Sequence, residues 1–432
     1  MQDPALNTEI RVTPVFSSPP ASAQPKMCID TSSPSIYSSP ALNAGGALDV
    51  VVVEHPDGTL LSSAWFVVFD AAATGRVGVH INGSSFIDAS RSDLHVGIQR
   101  EPASFAAADS QTSSTEASVP SAALLAALSA SKLLRSGRNE VRYSLGGPGG
   151  ACVRAFLFLW RASVPAVIFD IDGTVTLNDA AGHAANLLPG DASPTHPGIC
   201  QLVCELHARG YAVIFLTSRP LLGAAGIERT RRFLFEVAVD QPSAFRMPPA
   251  PVFTTTHRDM FAALVDELSG KSKAFKANSL KPLRQAFEAP ASARTLGGVL
   301  SGAIGEISSK LSSLGVLPAS TGGGLFAGFG NREKDALAYL SAGVPPERVF
   351  LIDTTSKVAG RANVIGGHDV EHGAPSSPAA GDAKAAPPSW RSYTGMLASG
   401  AIEAYFPRRV SQDEQQNTMH ACAPLSTGRS VR

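Results

Sequence analysis

Apolar positions along the chain fall into two textures. Between Leu48 and residue 100, and again from Asn139 to Trp160, they come as short runs that are β-branched or alternate with polar residues. Val50–Val53, Thr59–Phe69, Arg76–Ile81, Asn139–Leu145 (through Val141, Tyr143 and Leu145) and Cys152–Trp160 form this series, which predicts strands. His55-Pro56-Asp57-Gly58 and Asn82-Gly83 punctuate the runs. Asp-Gly and Asn-Gly accept the positive φ of tight turns, so both predict hairpins. Gly146–Gly150 predicts a further turn, and Ser121–Leu134 fits either a short helix or a strand entry.

From Pro165 onward, short fully apolar runs alternate with segments of helical period, the pattern of a parallel sheet. Ala166–Phe169, Tyr211–Leu216, Val252–Thr255, Leu325–Phe329 and Arg348–Ile352 read as strands. His196–Arg209 puts Ile199, Leu202, Val203 and Leu206 on one helical face and ends at Gly210. Further helices are predicted over Ile227–Val237, with Arg229, Arg231 and Arg232 on its outer face, and over Met260–Leu268, Lys276–Phe287, Glu333–Ala342 and Trp390–Phe406. The organisation that follows is a disordered segment 1–45, a β-module 46–164 with a linker 101–120, and an α/β catalytic domain 165–358 carrying an insertion 290–324. A low-complexity linker 360–389, a C-terminal helix 390–408 packed on the catalytic domain and a loose tail 409–432 complete it.

Composition changes little in this picture. The 432 residues carry 36 Lys+Arg against 36 Asp+Glu, so net charge points to neither nucleic acid nor an acidic partner. The cysteines (Cys28, Cys152, Cys200, Cys204, Cys422) are odd in number and dispersed, which argues for a reducing compartment. Met1–Pro25 has no apolar core of a signal peptide, and Ala151–Phe169 is broken by Arg154, Arg161 and Pro165. No transmembrane segment is expected, so action on a membrane would be from its surface.

The chemistry concentrates where the first α/β strand stops, at Asp170-Ile171-Asp172-Gly173-Thr174. Two carboxylates separated by a single residue oppose joint ionisation and call for a cation, and strand C-termini are where open α/β sheets bind ligands. Phosphoryl transfer accounts for the set. Asp170 would attack phosphorus, and Asp172 would protonate the leaving oxygen and then activate water. Thr174 would hold either the turn or the phosphate, Thr217 would donate to a phosphate oxygen or serve as a turn hydroxyl, and Lys276 would balance charge. Mg²⁺ suits an all-oxygen site, with Asp170, Asn331 and a main-chain oxygen of Asp172 as ligands and Asp335 as a further ligand or an orienting group. A lone D-x-D-G-T also occurs in calcium loops; the four strand-end loops in this order favour the catalytic reading. His183 and His196 read as loop or helix-start residues.

D-I-D-G-T-V-T-L-N-D (Asp170–Asp179), T-H-P-G (Thr195–Gly198), G-Y-x-x-I-F-L-T-S-R (Gly210–Arg219), T-R-x-x-L (Thr230–Leu234), F-K-x-x-x-L (Phe275–Leu280) and F-G-N-R-x-x-D-x-x-x-Y (Phe329–Tyr339) together resemble the lipin-type phosphatidate phosphatases of the haloacid dehalogenase-like superfamily. So do G-A-L-D-V-V-V-V-E-H-P-D-G-T (Gly46–Thr59), V-H-I-N-G (Val79–Gly83) and G-R-N-E-V-R-Y-S (Gly137–Ser144) in the β-module. The resemblance implies an immunoglobulin-like β-sandwich docked on a Rossmann-like catalytic domain. It implies Mg²⁺-dependent hydrolysis of phosphatidate to diacylglycerol and phosphate in glycerolipid synthesis. The enzyme would be cytoplasmic, peripheral to the endoplasmic reticulum membrane, with the nucleus as a second location. The family's amphipathic N-terminal helix has no counterpart in the Ser/Pro-rich stretch before Gly46.

Two other functions remain compatible with the residues: a non-catalytic phosphatidate sensor, disfavoured by Asp170, and a phosphatase of a soluble phosphometabolite, disfavoured by the β-module. For membrane contact, the Arg229/Arg231/Arg232 cluster and Arg408-Arg409 beside Phe406 offer positive charge, with solvated helix faces as the alternative.

Overall fold

A computed structural model of the chain describes residues 45–69, 77–87, 98–99, 119–145, 151–177, 194–222, 226–240, 245–256, 271–288, 323–360 and 388–409. The expected helix over Met260–Leu268, nearly all of the 290–324 insertion, the Gly146–Gly150 turn, His183 and the bulk of the linkers and terminal segments lie outside them.

The N-terminal unit contains β1 (Gly45–Ala47), β2 (Val50–Glu54), β3 (Leu60–Ser62), β4 (Val67–Phe69), β5 (Val77–Ile81), β6 (Ser84–Ile87), β7 (Ile98–Gln99), helix α1 (Ala122–Ser131), β8 (Gly137–Leu145) and β9 (Ala151–Arg161). They form a six-stranded sheet, β3-β2-β9-β8-β5-β6, and a three-stranded one, β1-β4-β7. Val50, Val52, Val67, Phe69, Val79, Tyr143, Val153 and Leu157 from the two sheets meet in one apolar cluster with Leu124, Leu125 and Leu128 of α1. The turn at Asn82 (φ 51°) and Gly83 (φ 84°) joins β5 to β6 in the backbone such hairpins need.

The Thr59–Phe69 run is not one strand. β3 pairs with β2 and β4 with β1, in different sheets. The break falls at Ser62-Ser63: Ser63 accepts from the Val51 amide at 3.0 Å, and Ser62 accepts from the Trp65 indole at 2.8 Å. Ser63 thereby satisfies a β2 amide that a continuing ladder would otherwise pair.

The second unit is a seven-stranded sheet in the order β12-β11-β10-β13-β14-β15-β16. Its strands are β10 (Pro165–Asp170), β11 (Ala212–Leu216), β12 (Val252–Phe253), β13 (Gly324–Gly330), β14 (Val349–Ile352), β15 (Val358–Gly360) and β16 (Ser389–Trp390). The first five are parallel, β15 runs antiparallel to β14 and β16 antiparallel to β15, and the short strand Ser389–Trp390 precedes the C-terminal helical segment. Helices α2 (Ile199–Ala208), α3 (Ile227–Arg232), α4 (Lys271–Phe287) and α5 (Glu333–Ser341) connect these strands. The single helix expected over 390–408 is two, α6 (Tyr393–Ala398) and α7 (Ala401–Tyr405), divided by Gly400 at φ 74°. Tyr393, Met396, Ile402 and Phe406 bury against Phe329 and Phe350 of the sheet.

The two units share strand β2. Val50 and Val52 face the N-terminal core, whereas Val51 and Val53 pack with Ala166, Ile168, Leu283 and Tyr339 of the α/β unit. Asp49, 1% exposed, accepts from the amides of Phe156 (2.9 Å) and Val252 (2.9 Å) and from the Arg231 guanidinium (2.5 Å). This corrects the outward placement of Arg231: it is fully buried and also donates to Glu228.

Candidate active site

β10 is apolar and wholly buried up to Asp170, where its polar end meets the carboxyl edge of the sheet. Beneath it the rings of Phe169, Phe329 and Phe350 stack at 4.7 Å centroid spacings, a rigid floor across three adjacent strands. The chain then turns sharply: the amides of Thr174, Val175 and Thr176 all donate to the Ile171 carbonyl. Gly173 has φ 80°, and a Cβ there would collide with the Asn331 side chain. Only glycine lets that amide lie against the turn.

The residues singled out from the sequence converge here. Lys276, 2% exposed on α4, donates to Asp170 Oδ1 at 2.5 Å and to Asp335 Oδ1 at 2.6 Å. Asp335 spends its other oxygen on the amides of Asn331 (3.3 Å) and Arg332 (3.0 Å), fixing the loop between β13 and α5. Thr174 donates to Asp170 Oδ2 at 3.3 Å. Thr217 donates to Asp172 Oδ2 at 2.9 Å, so both threonine hydroxyls point to carboxylates.

The sequence reading gave no role to Arg219, which sits beside Asp172. Its Nη2 reaches Asp172 Oδ1 at 2.8 Å, and its Nε lies 3.1 and 3.2 Å from the two oxygens. The residue stood in the T-S-R-P turn after β11, where an arginine on a strand-end loop was the available signal. His196 stands directly ahead of α2, where a helix-start residue is expected. It is buried between Gly173, whose carbonyl lies 3.2 Å from Nε2, and Ser356, whose hydroxyl lies 2.8 Å from Nδ1. Tyr393 from α6 donates to the Thr174 carbonyl at 3.2 Å.

Two carboxylates two residues apart thus have opposite surroundings. Burial, with Asp335 nearby, pushes Asp170 up to about 7 despite the Lys276 ammonium. Burial acts on Asp172 in the same sense, but the Arg219 charge and the bonds from Arg219 and Thr217 hold it below the usual carboxylate range. Burial lowers Lys276, yet Asp170 and Asp335 together raise it, so it remains a cation. Three carboxylates face two cations in this pocket.

Among the described residues, no cluster of three or more His, Cys, Asp or Glu forms a metal cage. The donor chemistry still fits Mg²⁺, which keeps several waters and takes one or two carboxylates rather than a full protein shell. Asp170, the Asp172 main-chain carbonyl and the Asn331 side-chain carbonyl would supply such an oxygen set, with Asn331 lying against Gly173.

The sequence pattern of LNS2 (Lipin/Ned1/Smp2) matches residues 122–367, more than half of the chain. The chain belongs to the LNS2 family. This LNS2 domain is of the haloacid dehalogenase-like superfamily, in keeping with the mixed α/β sheet. Relatives include Phosphatidic acid phosphohydrolase 1 of Saccharomyces cerevisiae, 32% identical over 225 residues, covering 52% of this chain and 23% of that protein. Nuclear elongation and deformation protein 1 of Schizosaccharomyces pombe is 32% identical over 225 residues, covering 52% and 28%. Human Phosphatidate phosphatase LPIN3 is 27% identical over 223 residues, covering 51% and 22%. The aligned stretch of the chain spans about a quarter of the length of these curated relatives.

Proposed function

We propose that this chain is an Mg²⁺-dependent phosphatidate phosphatase that works at a membrane surface. The observation carrying this reading is the division of labour between Asp170 and Asp172, one bridged by Lys276 and the other clamped by Arg219. Lys276 keeps positive charge at Asp170, where the attack on phosphorus falls, while Arg219 holds Asp172 to the other side, so the two carboxylates are set apart in space for different roles. The site alone would serve many phosphate monoesters; the choice of phosphatidate rests on the LNS2 family and on relatives named for that activity.

In this reading Asp170 attacks phosphorus, the P–O bond to diacylglycerol breaks, and an aspartyl-phosphate forms. Asp172 gives its proton to the leaving oxygen, then takes one from the water that hydrolyses the intermediate. The phosphoryl dianion beside Asp172 favours its protonated form by like-charge repulsion. Thr174, Thr217 and Lys276 turn from their carboxylate partners toward phosphoryl oxygens. Asp170, the Asp172 main-chain oxygen and Asn331 would hold Mg²⁺, which supplies neutralisation of the phosphoryl charge. Asp335 acts in this reading as an orienting group, holding Lys276 through one oxygen and the Asn331 loop amides through the other.

The finer architecture belongs to the same reading: the N-terminal two-sheet unit is an immunoglobulin-like sandwich, and the protein is peripheral to the endoplasmic reticulum membrane. No helix among the described residues is long and apolar enough to cross a membrane.

The test is phosphate release from phosphatidate in mixed micelles, with Mg²⁺ or with chelator. The wild type releases phosphate only with the metal, and Asp170→Asn loses about 10³-fold or more. No release by the wild type, or full activity in Asp170→Asn, overturns the reading; preference for a soluble ester over the lipid overturns its substrate.

A further inference from the structure

Arg219 is built as a fork on a fixed base. Its amide donates to Thr217 Oγ1 at 3.1 Å, and its carbonyl accepts from the amide and the hydroxyl of Thr255, each at 3.2 Å. The backbone is therefore pinned to the ends of β11 and β12. The guanidinium, with Cζ 5.8 Å from the Phe233 ring centroid, is 9% exposed as a residue and touches both oxygens of Asp172. A planar fork fixes a carboxylate's orientation as well as its charge, which a point charge does not.

The placement matters because of what lies on the other side. Lys276 already bridges Asp170 and Asp335, and its charge also acts on Asp172. Without a counter-anchor, the Asp172 carboxylate would be drawn toward that ammonium and away from the β11 loop.

Resting on the phosphatase reading above, we propose that Arg219 is a positioning residue that holds Asp172 on the β11 side of the site, apart from the Lys276 cluster. The two-point contact from Arg219 sets where Asp172 meets the leaving oxygen and then the attacking water. Arg219 makes no demand on the lipid itself. Its loss displaces a proton-transfer group rather than a binding group, and a displacement of about 1 Å is enough to cost about 10²-fold in rate.

The experiment compares kcat and KM for Mg²⁺-dependent phosphate release from phosphatidate micelles in the wild type, Arg219→Gln and Arg219→Lys, with thermal melting of each. Expected are a fall in kcat of about 10²-fold in Arg219→Gln, a smaller fall in Arg219→Lys, and KM within about twofold of the wild type in both. A raised KM with kcat retained would make Arg219 a substrate-binding arm and overturn the inference, as would unchanged kinetics. If Arg219→Gln fails to fold, Arg219→Lys, which keeps the charge, decides between the same outcomes. A wild type with no activity overturns the phosphatase reading and this inference together, whereas an active wild type with indifferent variants overturns this inference alone.

Discussion

The Arg231 guanidinium and the Asp49 carboxylate, 182 residues apart in the chain, form a 2.5 Å ion pair at the junction of the two units. Burial raises Asp49 above the ordinary carboxylate range even though Arg231 and two backbone amides oppose it. Such a pair is worth little against an apolar substitute, but removing one partner strands the other charge. Asp49→Ala is expected to destabilise the protein by about 3–5 kcal/mol. Because Val252 of β12 and Phe156 of β9 lose the same acceptor, both units should melt together in a single earlier transition. Denaturant unfolding followed by tryptophan fluorescence and circular dichroism checks this; a lowered transition confined to one probe would contradict it.

Lys276 neutralises two carboxylates at once, so its loss should be felt in chemistry as well as stability. Lys276→Met leaves Asp170 and Asp335 facing each other without a counter-charge, and phosphate release is expected to fall by about 10²-fold or more. Asp335→Asn keeps an acceptor for the Asn331 and Arg332 amides while removing one negative charge, and should fall less. Steady-state assays beside thermal melts of both variants give the order.

His196 gives a dependence on pH with a definite sign. Burial lowers its pKa from 6.5, while the Gly173 carbonyl and the Asp353 charge act in the opposite sense. The unfolded chain therefore binds this proton more readily than the fold does, and stability from the neutral ring is present above about 6.5 and lost as pH drops below it. Other buried groups act oppositely: Asp49 and Asp170, both raised, favour the fold as pH falls. The comparison with His196→Gln isolates the histidine. On going from pH 7.5 to 5.5, the wild type should lose more melting temperature than the variant; equal losses would show that His196 does not titrate in this way.

Much of the α/β unit was legible because its strands are short, apolar and end in polar loops. Asp170, Thr217 and Asn331 could be placed at neighbouring strand ends before their contacts were known, since a parallel sheet brings successive carboxyl ends to one edge. What stayed hidden depends on partners distant in the chain. Arg231 looks like an outer-face residue beside Arg229 and Arg232, yet it is fully buried and pairs with the Asp49 carboxylate. His196 shows no metal or catalytic spacing; its meaning lies in Ser356, 160 residues on, held at φ 70° by a loop that folds around Asp353. Strands of two or three residues, such as β15 and β16, carry too little pattern to announce themselves.

Strand β2 opens with four valines in a row before the exposed Glu54, and a run of identical residues has no preferred side. A slip of one position would exchange Val50 and Val52 for Val51 and Val53, and neither core would register a change in chemistry. What forbids the slip is the residue before them. Displaced by one place, Asp49 would turn its carboxylate onto the opposite face, leaving Arg231 and the amides of Phe156 and Val252 without their acceptor in the interior. A single buried charge thereby supplies the alignment that the hydrophobic pattern leaves undetermined, and two cores inherit their registration from it.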